Sequence, residues 1–333
     1  MLNDAKERVA AYLHRTGLAG RARVVPLTGD ASDRRYFRVI ASDRPSTVLA
    51  AYADAFELDR LPFVNVAALF RAIPLPVPDI RAHAGDLGLL ELEDLGDVTL
   101  QAHLGTADAA EHAALYREAV GYLAALQDRG RALADPTYLP YGVAFDEEKL
   151  GWELGFFARH FLGSYRGVEL SAAEKRALDS EFDGLAGALA AEPRVLCHRD
   201  YHSRNLMLHD GRLCIIDFQD ARMGPATYDL ASLLRDSYVD LSEATVQDLL
   251  AYFLALTGMP RDAHGFRALF DLTALQRNLK ALGTFGYQAA IKRNPVYIQY
   301  IPRTLRYARD TLWRHPSFSR IRDVLARHVP ELG

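Results

Sequence analysis

Two short apolar-rich runs, Asn205 to His209 and Arg212 to Asp217, flank Asp210-Gly211 within the stretch CHRDYHSRNLMLHDGRLCIIDFQD (197–220), and nothing else in the chain is so tightly constrained. Asp-Gly between two such runs is a strong signal for a two-residue hairpin, because both central positions of its turn need positive φ. Pairing His209 with Arg212 sets Asn205 opposite Ile216, with Asp217 one step further along. Two oxygen-bearing side chains then arrive at the same end of one hairpin. Pairing alone leaves open whether they point the same way, since neighbouring strand residues face opposite sides and the hairpin end has to break the alternation.

These residue types suit one chemistry. A hydroxyl attacking the terminal phosphate of a nucleotide needs an acceptor for its proton, and the crowded phosphate oxygens need a divalent cation. Asp200 fits the acceptor role. Asn205 and Asp217 fit the cation role, because Mg²⁺ prefers hard oxygen ligands such as carboxylate and amide carbonyl. A lone H-x-D would be weak evidence, but the full H-R-D-x-x-x-x-N followed by I-D-F after a DG turn is specific. The expected cofactors are ATP and Mg²⁺.

Composition is consistent with this chemistry and adds little alone. With 333 residues, 50% of them apolar, the chain can bury a large core, and its net charge of −4 gives no global pull toward nucleic acid or anionic membrane. The amino terminus is charged through its first turns and lacks the apolar core of a signal peptide, and no apolar run approaches the length of a membrane span. A cytoplasmic protein is expected, with no obligate protein partner. Cys197 and Cys214 have neither CxxC nor paired-histidine spacing, so they read as small buried core residues.

Along the chain, a helix is expected over about 3–16, strands at 23–27, 36–40, 47–52 and 87–92, and a helix at 62–72. The run IPLPVPD (73–79) forces an extended connection. Beyond Gly96 the pattern turns helical. Asp108 with Glu111, and Ser171 with Glu174, have capping-box spacing, and Leu115, Ala119, Tyr122 and Leu126 mark one buried stripe. Further helices are expected at about 147–162, 227–238, 242–257, 263–290 and 300–313.

The 197–220 run resembles the aminoglycoside and choline phosphotransferase branch of the protein-kinase-like fold. The stretches LTGDASDRRYFRV (27–39), ELEDLGD (91–97), DFQDARMGPATYDLASLLRDSY (217–238) and QRNLKALGTF (276–285) are similar to one bacterial subgroup, the anomeric kinases of N-acetylmuramate and N-acetylglucosamine in cell-wall recycling. The resemblance implies an α+β, bilobal protein-kinase-like fold: a small β-rich nucleotide-binding lobe over 1–96 and a large helical lobe over 97–333 that carries the catalytic loop and a small-molecule acceptor pocket. Only residues 220–227 separate the DFQD segment from the next expected helix, which leaves no room for a protein kinase's activation loop.

The same resemblance implies further roles. Gly29, Asp30 and Ser32 would cradle phosphates, although a single glycine there also fits an ordinary β-turn. Glu93 and Leu95 would belong to the adenine-binding hinge. Asp229 would hold the catalytic loop, His198 would be structural within it, and His202 and Arg204 would either touch acceptor or phosphates or simply be solvated. Residues 47–53 lack the third-strand lysine usual in this fold. Arg34, Arg35 or Arg38 is expected to supply its charge, unless all three are surface arginines. Asn278 and Lys280 stand about 200° apart on a helix, so at most one is expected at the acceptor pocket. Trp152, Phe156 and Phe157 read either as core or as a sugar-stacking surface. Three functions remain open: an anomeric sugar kinase, a kinase for a cationic acceptor such as an aminoglycoside or choline, which calls for an acidic or aromatic pocket, and a non-catalytic nucleotide-binding pseudokinase.

Overall fold

The computed structural model describes residues 4–27, 34–259 and 262–333, which form two compact units. The first takes residues 1–98 together with 207–219. It opens with helix α1 (Ala5–Arg15), whose start is capped by the Asp4 carboxylate accepting from the Lys6 N–H. Strands β1 (Ala22–Leu27), β2 (Arg35–Ala41) and β3 (Arg44–Ala51), helix α2 (Pro62–Ala72), and strands β4 (Ile80–Ala84) and β5 (Leu89–Glu93) follow. The strands form one antiparallel sheet in the order β1-β2-β3-β5-β4. Val9, Tyr12 and Leu13 of α1 share a core with Phe37 and Val39 of β2 and Leu49 of β3. Strand β4 was not anticipated. After Ile80 its residues, RAHA, are small or polar and weakly β-forming, and the strand lies at the sheet edge, where polar side chains are tolerated.

The second unit, residues 99–206 and 220–333, is mostly helical. It contains α3 (Leu100–His103), α4 (Ala109–Ala132), α5 (Glu147–Phe157), α6 (Ala172–Ala190) and β6 (Arg194–Cys197). The chain then returns to the first unit as the hairpin β7 (Leu206–His209) and β8 (Arg212–Ile215). It ends with β9 (Arg222–Pro225), α7 (Tyr228–Leu234), α8 (Glu243–Thr257), α9 (Ala263–Ala290), α10 (Ile301–Arg314) and α11 (Ser319–His328). Helix α6 starts with a full capping box between Ser171 and Glu174, whereas at α4 only the Asp108 half forms, and Glu111 instead meets His103 at 2.7 Å.

Two departures from expectation matter for the site. The hairpin, expected with the helical lobe, groups with the first unit. Met207 and Cys214 pack on Leu95, and the Leu208 and Ile215 N–H groups donate to the carbonyls of Val98 (2.8 Å) and Pro76 (2.7 Å). Second, α5 continues as a π-helical segment, Ala158–Tyr165, where a regular helix was expected. Helix α9 lies backbone-close against it: a Cβ on Gly286 would sit 2.6 Å from the His160 carbonyl oxygen, and one on Gly283 would sit 2.9 Å from the Phe157 Cα. Glycine alone permits that approach. Among the described residues no helix is long and apolar enough to cross a membrane.

Candidate active site

In the second unit, β6 pairs with β9 and delivers the chain into the loop 198–205. That loop is pinned at nearly every second residue. The buried Asp229 carboxylate, in the first turn of α7, accepts from the His198 N–H (2.6 Å) and the Arg199 N–H (3.0 Å). Tyr201, fully buried, donates to the Ala119 carbonyl at 2.9 Å. Asp236, just past α7, accepts from the N–H (2.9 Å) and hydroxyl (2.5 Å) of Ser203, and from the Tyr238 N–H at 2.8 Å. Arg199 sits at φ 90, a conformation costing about 1–3 kcal/mol for a non-glycine residue. The two bonds to Asp229, each worth roughly 1.5–3 kcal/mol because the acceptor is charged, offset it.

This pinning presents Asp200. Its Oδ1 accepts from the Lys280 ammonium at 2.9 Å, with Arg277 Nη2 at 3.7 Å, and Arg199 Nε lies 3.5 Å from Oδ2. Burial pushes the Asp200 carboxyl up, but the combined charge of Lys280, Arg199 and Arg277 outweighs it and holds the group well below the usual carboxylate range. Asp200 is therefore ionised at neutral pH. Asn205 donates its Nδ2–H to the Asp200 carbonyl at 2.8 Å, which commits the amide nitrogen and fixes the direction of its oxygen. Burial holds His202 down at about 3, so its imidazole is neutral. The Arg204 guanidinium lies 4.8 Å from the Tyr238 ring centroid.

A cavity of about 150 Å³ opens beside Asp200, walled by His202, Ser232 and Arg235 on one side and by Asn278, Lys280 and Phe285 of α9 on the other. The expectation that only one of Asn278 and Lys280 reaches the pocket does not hold. Lys280 is long enough to return to Asp200, while Asn278, on another face, donates to the Arg235 carbonyl at 3.2 Å. The aromatic group divides: Phe157 is fully buried core, whereas Trp152 is 55% exposed beneath the Lys149 ammonium.

In the first unit, Asp210 (φ 49) and Gly211 (φ 77) supply the two positive φ values the turn requires. Strand β8 stops at Ile215, and Asp217 adopts φ 63, which is how the hairpin end breaks its alternation. The next ring, Phe218, is buried against Phe63 (4.7 Å) and Phe70 (5.4 Å) of α2, so Asp217 is held from behind. Its Oδ1 accepts from Gln219 at 2.8 Å.

The three candidate arginines now separate. Arg38 is committed to Asp94 and Asp97, each at 2.8 Å. Arg35 is exposed, 3.7 Å from Asp4. Arg34 is largely buried, 3.6 Å from Asp217 and 5.8 Å from the Tyr52 ring centroid. Glu93 turns its carboxylate to Arg81 and the Asp79 N–H, and Leu95 is buried on the hairpin. Gly29, Asp30 and Ser32 lie outside the described residues. Arg199 and Asp236 were missed as site residues although both lie in motif stretches; nothing local in the sequence marks Asp236 as the partner of Ser203.

A five-stranded first unit, a helical second unit and the H-x-D-x-x-x-x-N loop define a kinase of the protein-kinase-like fold. The model of the phosphotransferase enzyme family matches residues 23–268, and the chain belongs to that family. It is 34% identical to the N-acetylmuramate/N-acetylglucosamine kinase of Neisseria meningitidis, across 90% of this chain and 89% of that one. Its identity with the Pseudomonas aeruginosa protein of the same name is also 34%, across 92% and 88%. Similar solved structures include a choline/ethanolamine kinase family protein from Mesorhizobium loti (TM-score 0.62, 16% identity, 99% of each chain) and a gentamicin complex of APH(2")-IIa (TM-score 0.60, 14% identity, 96% of this chain and 99% of that one). ATP use goes with membership of this kinase family.

Proposed function

We propose that this chain transfers the γ-phosphate of ATP to the anomeric hydroxyl of an N-acetylated amino sugar, N-acetylglucosamine or N-acetylmuramate, in the cytoplasm as part of cell-wall recycling. Asp200 receives the hydroxyl proton, late in a loose transition state, and an anomeric hydroxyl is acidic enough for so weakly basic a carboxylate. The names of the relatives at 34% identity support the sugar. The observation that carries the reading is the charge of the cavity: Arg235, Arg277 and Lys280 line it, against Asp200 and Asp236. The excess of cations opposes a polycationic aminoglycoside, whereas a neutral or anionic sugar tolerates it; Tyr238 and Phe285 also line the cavity, so the case against a choline head group is the charge of the lining and not a want of aromatic rings.

Asp217 and Asn205 are the residues that would hold Mg²⁺, which would neutralise phosphate charge. Their hard oxygens fit it. Among the described residues no three acidic, histidine or cysteine side chains gather around one metal position; a Mg²⁺ held by Asp217 and Asn205 would take its remaining ligands from phosphates and water. Arg34 is assigned to the nucleotide phosphates, and Glu93 and Leu95 to the adenine hinge. Gly29, Asp30 and Ser32 keep the phosphate-cradle role suggested by their position.

The test is ³¹P NMR of the product formed from Mg·ATP with N-acetylglucosamine, N-acetylmuramate, kanamycin or choline. A sugar 1-phosphate signal is expected, falling about 10²- to 10⁴-fold in rate in Asp200→Asn. Transfer to kanamycin or choline alone, or undiminished turnover in Asp200→Asn, would overturn the proposal.

A further inference from the structure

The cations lining the acceptor cavity are not equivalent. Arg235 is tied to Glu243 at 2.5 Å and held near the rings of Phe270 and Tyr307. Arg277 donates through Nη1 to the Arg199 carbonyl at 2.8 Å and stacks 4.5 Å from the Tyr228 ring centroid. Both guanidinium groups are fixed by the protein around them. Lys280 differs: among the described residues its ammonium has a single hydrogen-bond partner, the Asp200 carboxylate at 2.9 Å, and it lines the cavity beside that carboxylate. An ammonium has three donors, so two remain to point at whatever enters.

We infer that Lys280 is a catalytic residue, the cation on the acceptor side of phosphoryl transfer. The inference rests on the reading of Asp200 as proton acceptor. Lys280 occupies Asp200 Oδ1 and leaves Oδ2, which has Arg199 Nε at 3.5 Å, to take the acceptor hydroxyl. A hydroxyl bonded to that carboxylate lies within reach of the same ammonium. As transfer proceeds, the acceptor oxygen forms its bond to the γ-phosphorus and its proton passes to Asp200 Oδ2. The bond from the γ-phosphorus to the bridging oxygen breaks, and its electron pair leaves with ADP. Asp200 afterwards returns the proton to water. Lys280 exchanges no proton. Its fixed positive charge lies beside the acceptor oxygen and the arriving phosphoryl group, where a preorganised charge stabilises the transition state more than the ground state.

The neighbouring charges agree with a need for such a cation. Asp200 faces Lys280 and Arg277 from α9, Arg199 and His202 from its own loop, and Tyr228 from α7, while Asp220 draws Arg199 away at 2.8 Å. Of these, only Lys280 combines a place on the cavity wall with a direct hydrogen bond to the carboxylate. Nothing in the H-x-D-x-x-x-x-N motif encodes it, because it comes from a helix 80 residues away.

The experiment is steady-state kinetics of Lys280→Ala and Lys280→Arg with N-acetylglucosamine and Mg·ATP, with thermal shifts plus and minus ADP as the check on folding. For Lys280→Ala, kcat is expected to fall about 10²- to 10³-fold, the loss typical of removing one preorganised electrostatic group. KM for ATP and sugar should stay within about threefold, and added methylammonium or the arginine variant should restore at least about tenfold of the loss. A folded Lys280→Ala enzyme with kcat within about threefold of the parent overturns the inference, and so does a loss that neither arginine nor alkylammonium restores. If Asp200→Asn is inactive while Lys280→Ala is normal, this inference alone fails. If Asp200→Asn is active, the parent reading fails as well.

Discussion

Two carboxylates from the same 24-residue motif end in opposite surroundings. Asp200, in the second unit, meets three cations within 3.7 Å and has a side chain 26% exposed. Asp217, in the first unit, is 46% exposed, meets Gln219 at 2.8 Å and faces Arg34 at 3.6 Å. The proposed proton acceptor is held in advance by the protein, whereas the proposed metal ligand is left open to solvent. That difference matches the assigned roles: a proton acceptor must be aimed, and a metal ligand must be accessible.

Asp217→Ala should lower activity by at least about 10²-fold and raise the Mg²⁺ concentration needed for half-maximal rate, read from a metal titration. A variant that keeps both activity and metal dependence would move the metal role elsewhere.

Next in size is the loop support behind Asp200. Burial raises the Asp236 carboxyl from 3.8 to about 6, so between those values the folded state holds more protons than the unfolded chain. Its contribution to stability therefore falls as pH rises from about 4 to 6, by on the order of 3 kcal/mol, and is level above that. Urea unfolding of the parent and Asp236→Asn across pH 4 to 7 should show this slope in the difference between the two; parallel profiles would contradict it.

The smallest effect sharpens the arginine assignment. Arg34→Ala should raise KM for ATP about tenfold, the loss of roughly one charged hydrogen bond, while Arg38→Ala should leave KM unchanged and lower stability instead, because it leaves the buried Asp94 carboxylate without its partner. Equal KM values in the two variants would remove Arg34 from the phosphate role.

Much of this was legible in the sequence because it depends on local chemistry. Asp210-Gly211 dictates its turn through φ, the proline run 73–79 excludes helix, and Ser171 with Glu174 starts α6 through a box closed within four residues. Helix α2 runs over the expected span, Pro62–Ala72, since proline suits its first position. Strand β4 escaped because its pairing with β5, not its own composition, makes it a strand. The placement of β7 and β8 in the first unit escaped because Leu95 and the carbonyls of Val98 and Pro76 hold them there.

The candidate site divides along the same line. Spacing alone singles out Asp200, Asn205 and Asp217, since a base and hard oxygen ligands have to recur at fixed offsets around one hairpin. Only the tertiary structure separates Arg34 from Arg35 and Arg38, by giving Arg38 two aspartates and leaving Arg35 exposed. It also set Lys280 against Asp200 and Asp236 beneath Ser203. Those partners lie 33 to 80 residues apart in the chain, and a charge becomes a partner only when packing brings it within a few ångströms and removes the water that would otherwise screen it.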